Sequence, residues 1–339
     1  MTAGVLMPPS TLSPRRRVAA VTLLIPVLVA LALWAFAWPA SRTAPRDLPL
    51  GVAGPAAATA PVEQRLEHRK GAFDLHHYAD EAAAREAVED REVYGAVVVT
   101  GQGPKLLTAS AASPVVAQLL QQAVTSQASA PGGQVATVDV VPAPEEDPRG
   151  AVLNTSVLPL ALAGIGAGAA VTLLGLRGAR AVAALAGSAA LVGVVTAALA
   201  HDWLDAVPGN RWAVAGTFAL AALATSAAVA GLAALIGRAG IALGGFVIML
   251  IGNPFSGASS APEMLPEPAG AIGQWLPPGA GVSLLRSVSF FDGAAAAGPA
   301  LTLTWWAALG LGAVLLGRAL RERTGNAAPA TEPGPALVG

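Results

Sequence analysis

Long apolar runs constrain this chain more than any other feature of its sequence. A helix that crosses a bilayer needs about 20 mostly apolar residues. Only 12% of the 339 residues are charged, about half the usual share in a soluble domain. We therefore predict an α-helical polytopic membrane protein with about six transmembrane helices. The runs that carry this prediction are residues 18–38, 153–176, 181–200, 212–236, 239–256 and 301–320.

Two of these runs leave alternatives open. Residues 18–38 could be a retained anchor or a cleaved signal peptide, since Ala35-Phe36-Ala37 resembles a cleavage site. The run exceeds the usual signal-peptide length of about 7–15 apolar residues, and this favours an anchor. Residues 239–256 contain only about 12 contiguous apolar residues, so this run spans the bilayer only if the helix is short or tilted.

The positions of the arginines predict the orientation. Cytoplasmic loops of membrane proteins are enriched in Lys and Arg. With six spans and a cytoplasmic N-terminus, the short outer loops contain only Arg211 and Arg286. We therefore predict a protein of the cell membrane with residues 1–17 cytoplasmic, residues 39–150 extracytoplasmic and residues 321–339 a disordered cytoplasmic tail. The inner ends of the spans then hold Arg15, Arg16, Arg17, Arg177, Arg180, Arg238, Arg318, Arg321 and Arg323.

Residues 39–150 have the pattern of a small α/β domain inserted between the first span and the five-helix membrane region of residues 151–320. Asp80 and Ser113 are suited to cap helices, and residues 94–100 are apolar and β-branched, as in a buried strand. Strands and helices alternate as in layered α/β folds. The predicted strands are residues 48–52, 73–78, 94–100, 105–110 and 134–141, and the predicted helices are residues 61–70, 80–91 and 113–126.

The sequence lacks the residues that several kinds of catalytic or metal site require. The chain contains no cysteine, no P-loop motif and no H-E-x-x-H motif, so a thiolate site, an ATPase site of its own and a zinc-protease site are excluded. The predicted spans have no ionisable residue at their centres, which argues against a proton-coupled pump. A membrane enzyme is the least supported class, since Asp202 and Asp205 beside His201 fit a solvated loop. We predict no enzyme activity, cofactor, metal or nucleic-acid partner.

Two pairs of glycines have the G-x-x-x-G spacing that lets membrane helices approach closely. They are Gly164 with Gly168 and Gly240 with Gly244. Two interpretations stay open: close packing inside one bundle, or the seam of a homodimer.

Residues 257–298, the hairpin segment, are too apolar for a free loop and too often interrupted for a span. We predict two short helices, residues 263–275 and 281–291, that dip into the outer leaflet. Arg286 would pair with Glu263, Glu267 or Asp292, or would contact an anionic amphiphile or lipid headgroup. The candidate substrate or partner contacts are Asn253, Pro254, Glu263, Glu267, Pro277, Pro278 and Arg286.

Three passages carry a resemblance to a known family. They are Asp47-Leu-Pro-Leu-Gly-Val52 after the first run, residues 82–99, and the stretch from Asn253-Pro-Phe-Ser-Gly257 to Arg286. The chain resembles ABC-2-type permeases, and most of all the phage infection protein (Pip/YhgE-type) membrane proteins. The resemblance implies the membrane subunit of an exporter, a homodimer in the lipid bilayer with a separate P-loop ATPase, moving an amphiphile, drug or envelope component outward.

An alternative function stays open. An ATPase-coupled permease needs cytoplasmic surface for its motor, and the predicted inner loops are very short. The chain would then be a non-transporting envelope scaffold or receptor, binding a phage or a secretion partner through residues 39–150.

Overall fold

The computed structural model describes residues 13–101, 103–127 and 135–326. In this part of the chain, five helices are long and apolar enough to cross a membrane. Four coincide with predicted runs to within a few residues, and the first begins before its run. The five are α1 (Pro14–Ser41), α5 (Ala151–Leu173), α6 (Gly178–Ala197, continued by a π-helical turn, Ala198–Trp203), α7 (Arg211–Ile236) and α11 (Ala297–Asn326).

The run at residues 239–256 forms a shorter helix than the other five. Helix α8 (Arg238–Phe246) continues into a π-helical turn, Val247–Gly252. Together they extend at most about 22 Å, whereas the hydrocarbon core is about 30 Å thick. Gly252 and Pro254 end this helix before residue 256, so the predicted sixth span lacks the length of the others.

The first and last helices extend beyond the predicted runs 18–38 and 301–320. Pro14 lies in the first turn of α1, where its missing N–H costs nothing, so the helix begins inside the predicted N-terminal segment 1–17. Helix α11 continues to Asn326, into the segment predicted to be disordered. The sequence after Leu320 has no Gly or Pro before Gly325, and arginine and glutamate are good helix formers. The other predicted terminal residues, 1–12 and 327–339, lie outside the described residues.

The α/β domain has the predicted order of strands and helices. Its five-stranded sheet has the order β2-β1-β3-β4-β5, in which only the β3–β4 pair is antiparallel. The most buried strands are the adjacent β1 and β3. The elements are β1 (Leu48–Ala53), α2 (Ala56–Glu67), β2 (Phe73–Tyr78), α3 (Glu81–Glu89), β3 (Gly95–Thr100), β4 (Gly103–Thr108), α4 (Pro114–Gln127) and β5 (Ala136–Asp139).

Side-chain caps explain where several helices begin. The Asp80 carboxylate accepts a hydrogen bond from the Ala83 N–H at 2.9 Å, and Ser113 Oγ accepts one from the Val116 N–H at 3.2 Å. Both caps satisfy amides that have no partner inside the helix. Asp147 caps α5 in the same way, accepting from the N–H groups of Ala151 and Val152 at 2.7 and 2.8 Å. The last α/β residues therefore fix the start of the membrane bundle.

Helix α7 is the centre of the bundle. In its most apolar 18-residue stretch, 61% of the residues are buried. Its buried residues are mostly Ala, Gly, Ser and Thr, which allow neighbouring backbones to come close. Helices α5, α6, α8 and α11 pack around it.

The hairpin segment closes one end of the bundle. It contains a 3₁₀ turn, Pro262–Met264, followed by helices α9 (Ala269–Gln274) and α10 (Pro277–Phe290). A single helix over residues 263–275 was therefore a wrong prediction, because Pro266 and Pro268 interrupt it. Helix α10 begins four residues earlier than predicted, since Pro277 is favourable in a first turn. Met264 and Ala261 pack into the core of the α/β domain, so this end of the bundle carries the domain.

Candidate functional site

A groove of about 960 Å³ runs from the α/β domain along the membrane bundle. Its walls come from the domain, the hairpin segment, α7 and α11. The charged side chains of the lining lie at the domain end, among apolar ones, whereas along α7 and α11 the lining is almost entirely apolar. The polar end is lined by Arg91, Glu92, Tyr94, Glu263, Gln274, Ser283 and Arg286, and the apolar length by residues that include Leu232, Leu235, Leu301, Trp305, Trp306, Leu309 and Ala313.

Arg91 joins the α/β domain to the hairpin segment. It lies just after α3 with a φ of 61°, a left-handed conformation that is uncommon for residues other than glycine. From this position Nη1 donates hydrogen bonds to the Ser283 carbonyl at 3.0 Å and to Ser287 Oγ at 2.5 Å. The guanidinium also lies 5.2 Å from the centre of the Phe291 ring, within the range of a cation–π contact.

Burial lowers the pKa of Arg91 below its ordinary value, and the negative charges of Tyr94, when ionised, and Glu263 oppose this shift. Arginine stays protonated at any physiological pH. The polar end of the groove therefore holds a permanent positive charge that is partly removed from water.

Tyr94 and Glu263 form a second contact between the domain and the hairpin segment. The Tyr94 hydroxyl donates a hydrogen bond to a Glu263 carboxylate oxygen at 2.8 Å. Burial, followed by the charge of Glu263, raises the pKa of Tyr94 far above its ordinary value, so the phenol remains a donor. At the rim, Glu92 accepts a hydrogen bond from the Tyr78 hydroxyl at 3.3 Å. Each carboxylate at this end thus has a tyrosine donor.

Arg286 is buried in α10, with 4% of its surface exposed. Its guanidinium donates to the carbonyl groups of Gly257, Ala258 and Ser260, at 3.5, 2.7 and 3.4 Å. Among the described residues, no carboxylate lies within 4.0 Å of its nitrogen atoms. Backbone carbonyls thus take the place of the ion pair with Glu263, Glu267 or Asp292 that the sequence suggested, and Arg286 fixes the loop before the 3₁₀ turn.

A short polar network connects α10, α9 and the loop that follows α8 at the polar end of the groove. Ser283 Oγ donates to the Gln274 side-chain oxygen at 2.6 Å, and Gln274 Nε2 donates to the Ser256 carbonyl at 3.1 Å. The same Ser283 offers its carbonyl to Arg91. Helix α9, helix α10 and the α/β domain are therefore held together at the polar end of the groove.

The apolar length of the groove has large exposed side chains. Leu301, Trp305 and Leu309 of α11 are each at least 60% exposed. Trp306 Nε1 donates to the Trp275 carbonyl at 2.8 Å, which fixes the indole near the junction of polar and apolar lining. Indole groups favour this kind of boundary because they combine an apolar body with one donor.

Of the seven side chains that the sequence analysis singled out, the structure brings together Glu263 and Arg286 in the groove. Glu267 is exposed and lies outside it. Asn253 and Pro254 follow the π-helical turn, and the Asn253 carbonyl accepts a hydrogen bond from Ser256 Oγ at 2.7 Å. Pro277 and Pro278 begin α10 and line a separate small cavity.

The sequence analysis missed Arg91 and Tyr94 as site residues. Their partners in the hairpin segment lie 192 and 169 residues away along the chain, so no local spacing reveals them. The available signal is weak: Arg91 and Tyr94 lie within the four residues that precede a mostly apolar strand.

The four glycines of the G-x-x-x-G pairs lie against α7. A Cβ atom on Gly164 would be 2.6 Å from Thr225, and one on Gly168 would be 2.6 Å from the Ser226 carbonyl oxygen. Cβ atoms on Gly240 and Gly244 would be 2.3 Å from the Leu232 backbone and 3.0 Å from Val229. These glycines thus face contacts within this chain.

Comparison with known proteins finds a family match for the first part of the chain. Residues 16–165 match the family model described as ABC-2 family transporter protein. The matched stretch is a little under half of the chain and covers nearly all of α1, the α/β domain and about the first two thirds of α5. No curated protein and no solved structure matches the chain. Permeases of this family are membrane components that are not themselves catalytic and typically work with a separate ATPase, and the match supports a multi-pass permease of the ABC-2 type.

Proposed function

We propose that this chain is the permease subunit of an ABC-2-like exporter and that the groove is its substrate site, through which an amphiphile, drug or envelope component moves outward. The observation that carries the proposal is the polarity of the groove, which is charged beside the α/β domain and apolar along α7 and α11. An amphiphile has the same division, because its headgroup needs polar partners and its chain gains by leaving water.

The dimensions fit this class of substrate. Residues 301 to 313 of α11 line the apolar length, which corresponds to about 18 Å along a helix. A pocket of a few hundred to about 1,000 Å³ is typical of small-molecule sites. The exposed Leu301, Trp305 and Leu309 give a chain access from the side of the bundle.

The proposal includes the predicted setting. The protein lies in the cell membrane with both termini cytoplasmic and residues 39–150 outside. The short α8 and its π-helical turn return the chain to the outer side, and the polar end of the groove faces the outer surface. It works as a homodimer with a separate P-loop ATPase. Within this setting the Pip/YhgE-type proteins are the most similar group.

The proposal is tested by isolating the tagged protein from its native membranes in a gentle detergent. A P-loop ATPase identified by mass spectrometry in the isolated complex, with ATP hydrolysis stimulated by a native membrane lipid extract, is the expected result. Repeated recovery of this chain alone, or with non-ATPase envelope proteins, would overturn it.

A matched pair of variants connects this assay to the groove. Leu309→Trp fills the groove at an exposed position, whereas Leu316→Trp changes an exposed leucine of the same helix that does not line it. We expect Leu309→Trp to abolish most of the lipid stimulation and Leu316→Trp to preserve it. Equal stimulation in both variants would exclude the groove as the substrate site.

One observation favours the envelope scaffold or receptor as a second candidate. The connection between α5 and α6 contains only residues 174–177, and Gly237 alone separates α7 from α8. These short turns offer little surface to a motor protein. Under this alternative the isolated protein would bring envelope or phage partners with it, and the partners would bind the α/β domain.

A further inference from the structure

We propose that the groove selects amphiphiles with an anionic headgroup, such as a phosphate, sulfate or carboxylate, and that Arg91 binds this headgroup. The inference rests on the proposed function for the use of the groove as a substrate site. It concerns which headgroup the site prefers, a property that can be measured at equilibrium without an ATPase.

The cations and the carboxylates at the polar end have different kinds of hydrogen-bond partner. Glu92 and Glu263 each accept a hydrogen bond from a tyrosine hydroxyl. Arg91 and Arg286, in contrast, donate only to carbonyl groups and one serine hydroxyl. In the described part of the chain neither guanidinium has a carboxylate within 4.0 Å. Buried charges are normally paired, whereas both guanidinium groups lack a direct anionic partner among the described residues, although Glu92 and Glu263 lie in the same lining.

Arg91 has hydrogen-bond donors that no described residue uses. Both of its hydrogen bonds to described residues come from Nη1, which leaves the N–H groups of Nη2 and Nε available. Among the described residues, Ser289 Oγ is the only buried side-chain nitrogen or oxygen atom without a hydrogen-bond partner. Nη2 and Nε of Arg91 are therefore not buried without a partner, and Arg91 lines the groove. Together these two atoms form the edge of a guanidinium that binds phosphate or carboxylate through two parallel hydrogen bonds.

The side chain of Arg91 is held in a fixed position. The contacts to Ser283, Ser287 and the Phe291 ring hold the guanidinium between the domain and α10. A preorganised donor costs less ordering when a ligand binds. Both Nη atoms of Arg286 already donate to carbonyl groups, so we assign to Arg286 a nearby positive charge and not the direct contact. The direct headgroup contact is thus assigned to Arg91, although the sequence had pointed to Arg286.

The test compares two brominated lipids with the same acyl chain, the anionic lysophosphatidylglycerol and the uncharged monoacylglycerol, which has no phosphate. Both are titrated against the full-length protein in a non-ionic detergent, and binding is measured by quenching of tryptophan fluorescence. Because Trp305 and Trp306 line the groove, a brominated chain bound there quenches them. We expect the anionic lysolipid to bind about tenfold more tightly, corresponding to one good charged pair, and high salt to reduce this difference.

Variants distinguish the headgroup contact from a structural role. Arg91→Gln should remove the preference while leaving the affinity for the uncharged monoacylglycerol unchanged, and Arg91→Lys should keep part of it. The control is Arg85→Gln, which changes an arginine of α3 outside the groove. Trp305→Phe should reduce the maximal quenching and so place the chain in the groove. If Arg91→Gln does not fold, Arg91→Lys and the salt dependence of the wild type still decide the matter.

The possible failures have different meanings. Equal affinity of the wild type for both lipids, or an anionic preference that survives Arg91→Gln, would overturn the headgroup assignment while the groove remains an amphiphile site. Quenching that is absent, or that Trp305→Phe does not change, would show that amphiphiles do not occupy the groove, and the proposed substrate site would fail with it.

Discussion

Helices α1 and α7 are both apolar enough to cross a membrane, yet they occupy opposite kinds of environment. In the most apolar 18-residue stretch of each, 6% of the residues of α1 are buried against 61% of those of α7. Helix α1 is the more apolar of the two. Hydropathy therefore identifies both helices as candidate spans and gives no information on which one lies at the centre.

Side-chain size distinguishes them. The exposed part of α1 is rich in leucine and valine, whereas the buried face of α7 is mostly alanine with glycine, serine and threonine. In lipid, large apolar side chains gain little by burial against other helices, and close backbone packing supplies the attraction instead. The central helix is thus the one with small residues on nearly all sides.

The strongest test of this comparison is Gly310→Leu in α11. A Cβ atom at Gly310 would be 2.3 Å from the Ala227 backbone of α7, and backbone cannot move aside as the end of a side chain can. We expect a loss of stability of about 3 kcal/mol or more, with little folded protein recovered. The measurement is the amount of monodisperse protein in mild detergent and its thermal midpoint.

The matched control lies two residues away in the same helix. A Cβ atom at Gly312 would meet nothing within 4 Å, so Gly312→Leu should fold with a thermal midpoint close to that of the wild type. Similar losses for both variants would mean that glycine itself, and not its contact with α7, matters in α11.

A second test applies the same change to both helices of the comparison. Ala224 of α7 is fully buried and Ala30 of α1 is exposed. Ala224→Leu should cost about 1–3 kcal/mol by overpacking, whereas Ala30→Leu should leave stability unchanged. Thermal unfolding of the two detergent-solubilised variants provides the measurement. A destabilising Ala30→Leu would show that α1 has a buried contact at that position, for example with a second copy of the chain.

The sequence predicts those features that are encoded locally. The spans follow from apolar length, and Asp80 and Ser113 as caps follow from residue type at a helix start. The α/β order follows from alternating periodicities, each read within about ten residues. For the same reason the predicted strand and helix limits lie within a few residues of the observed ones, with the larger differences at helix α2.

The site itself could be predicted only in part. Glu263 and Arg286 are recognisable because charge is unusual in so apolar a segment, but the partners of Arg286 are carbonyl groups that any sequence would offer. Arg91 and Tyr94 enter the site through tertiary contacts across more than 160 residues. Likewise, Gly231 of α7 and Gly310 of α11 are in close contact, and no sequence spacing predicts a contact between residues so far apart along the chain.

The smallest expected effect concerns the end of α1 that does make contacts. Trp34 and Trp38 stack with ring centres 5.4 Å apart, and Trp38 also meets the Phe255 ring edge-on at 6.0 Å. Both Trp34→Ala and Trp38→Ala remove the stack, whereas only Trp38→Ala removes the contact with Phe255. An aromatic pair contributes about 0.5–1.5 kcal/mol beyond its buried area, so we expect Trp38→Ala to lower the thermal midpoint more than Trp34→Ala. Equal shifts would show that the contact of Trp38 with Phe255 adds nothing measurable to stability, and the aromatic contribution of α1 would then come from its own stack alone.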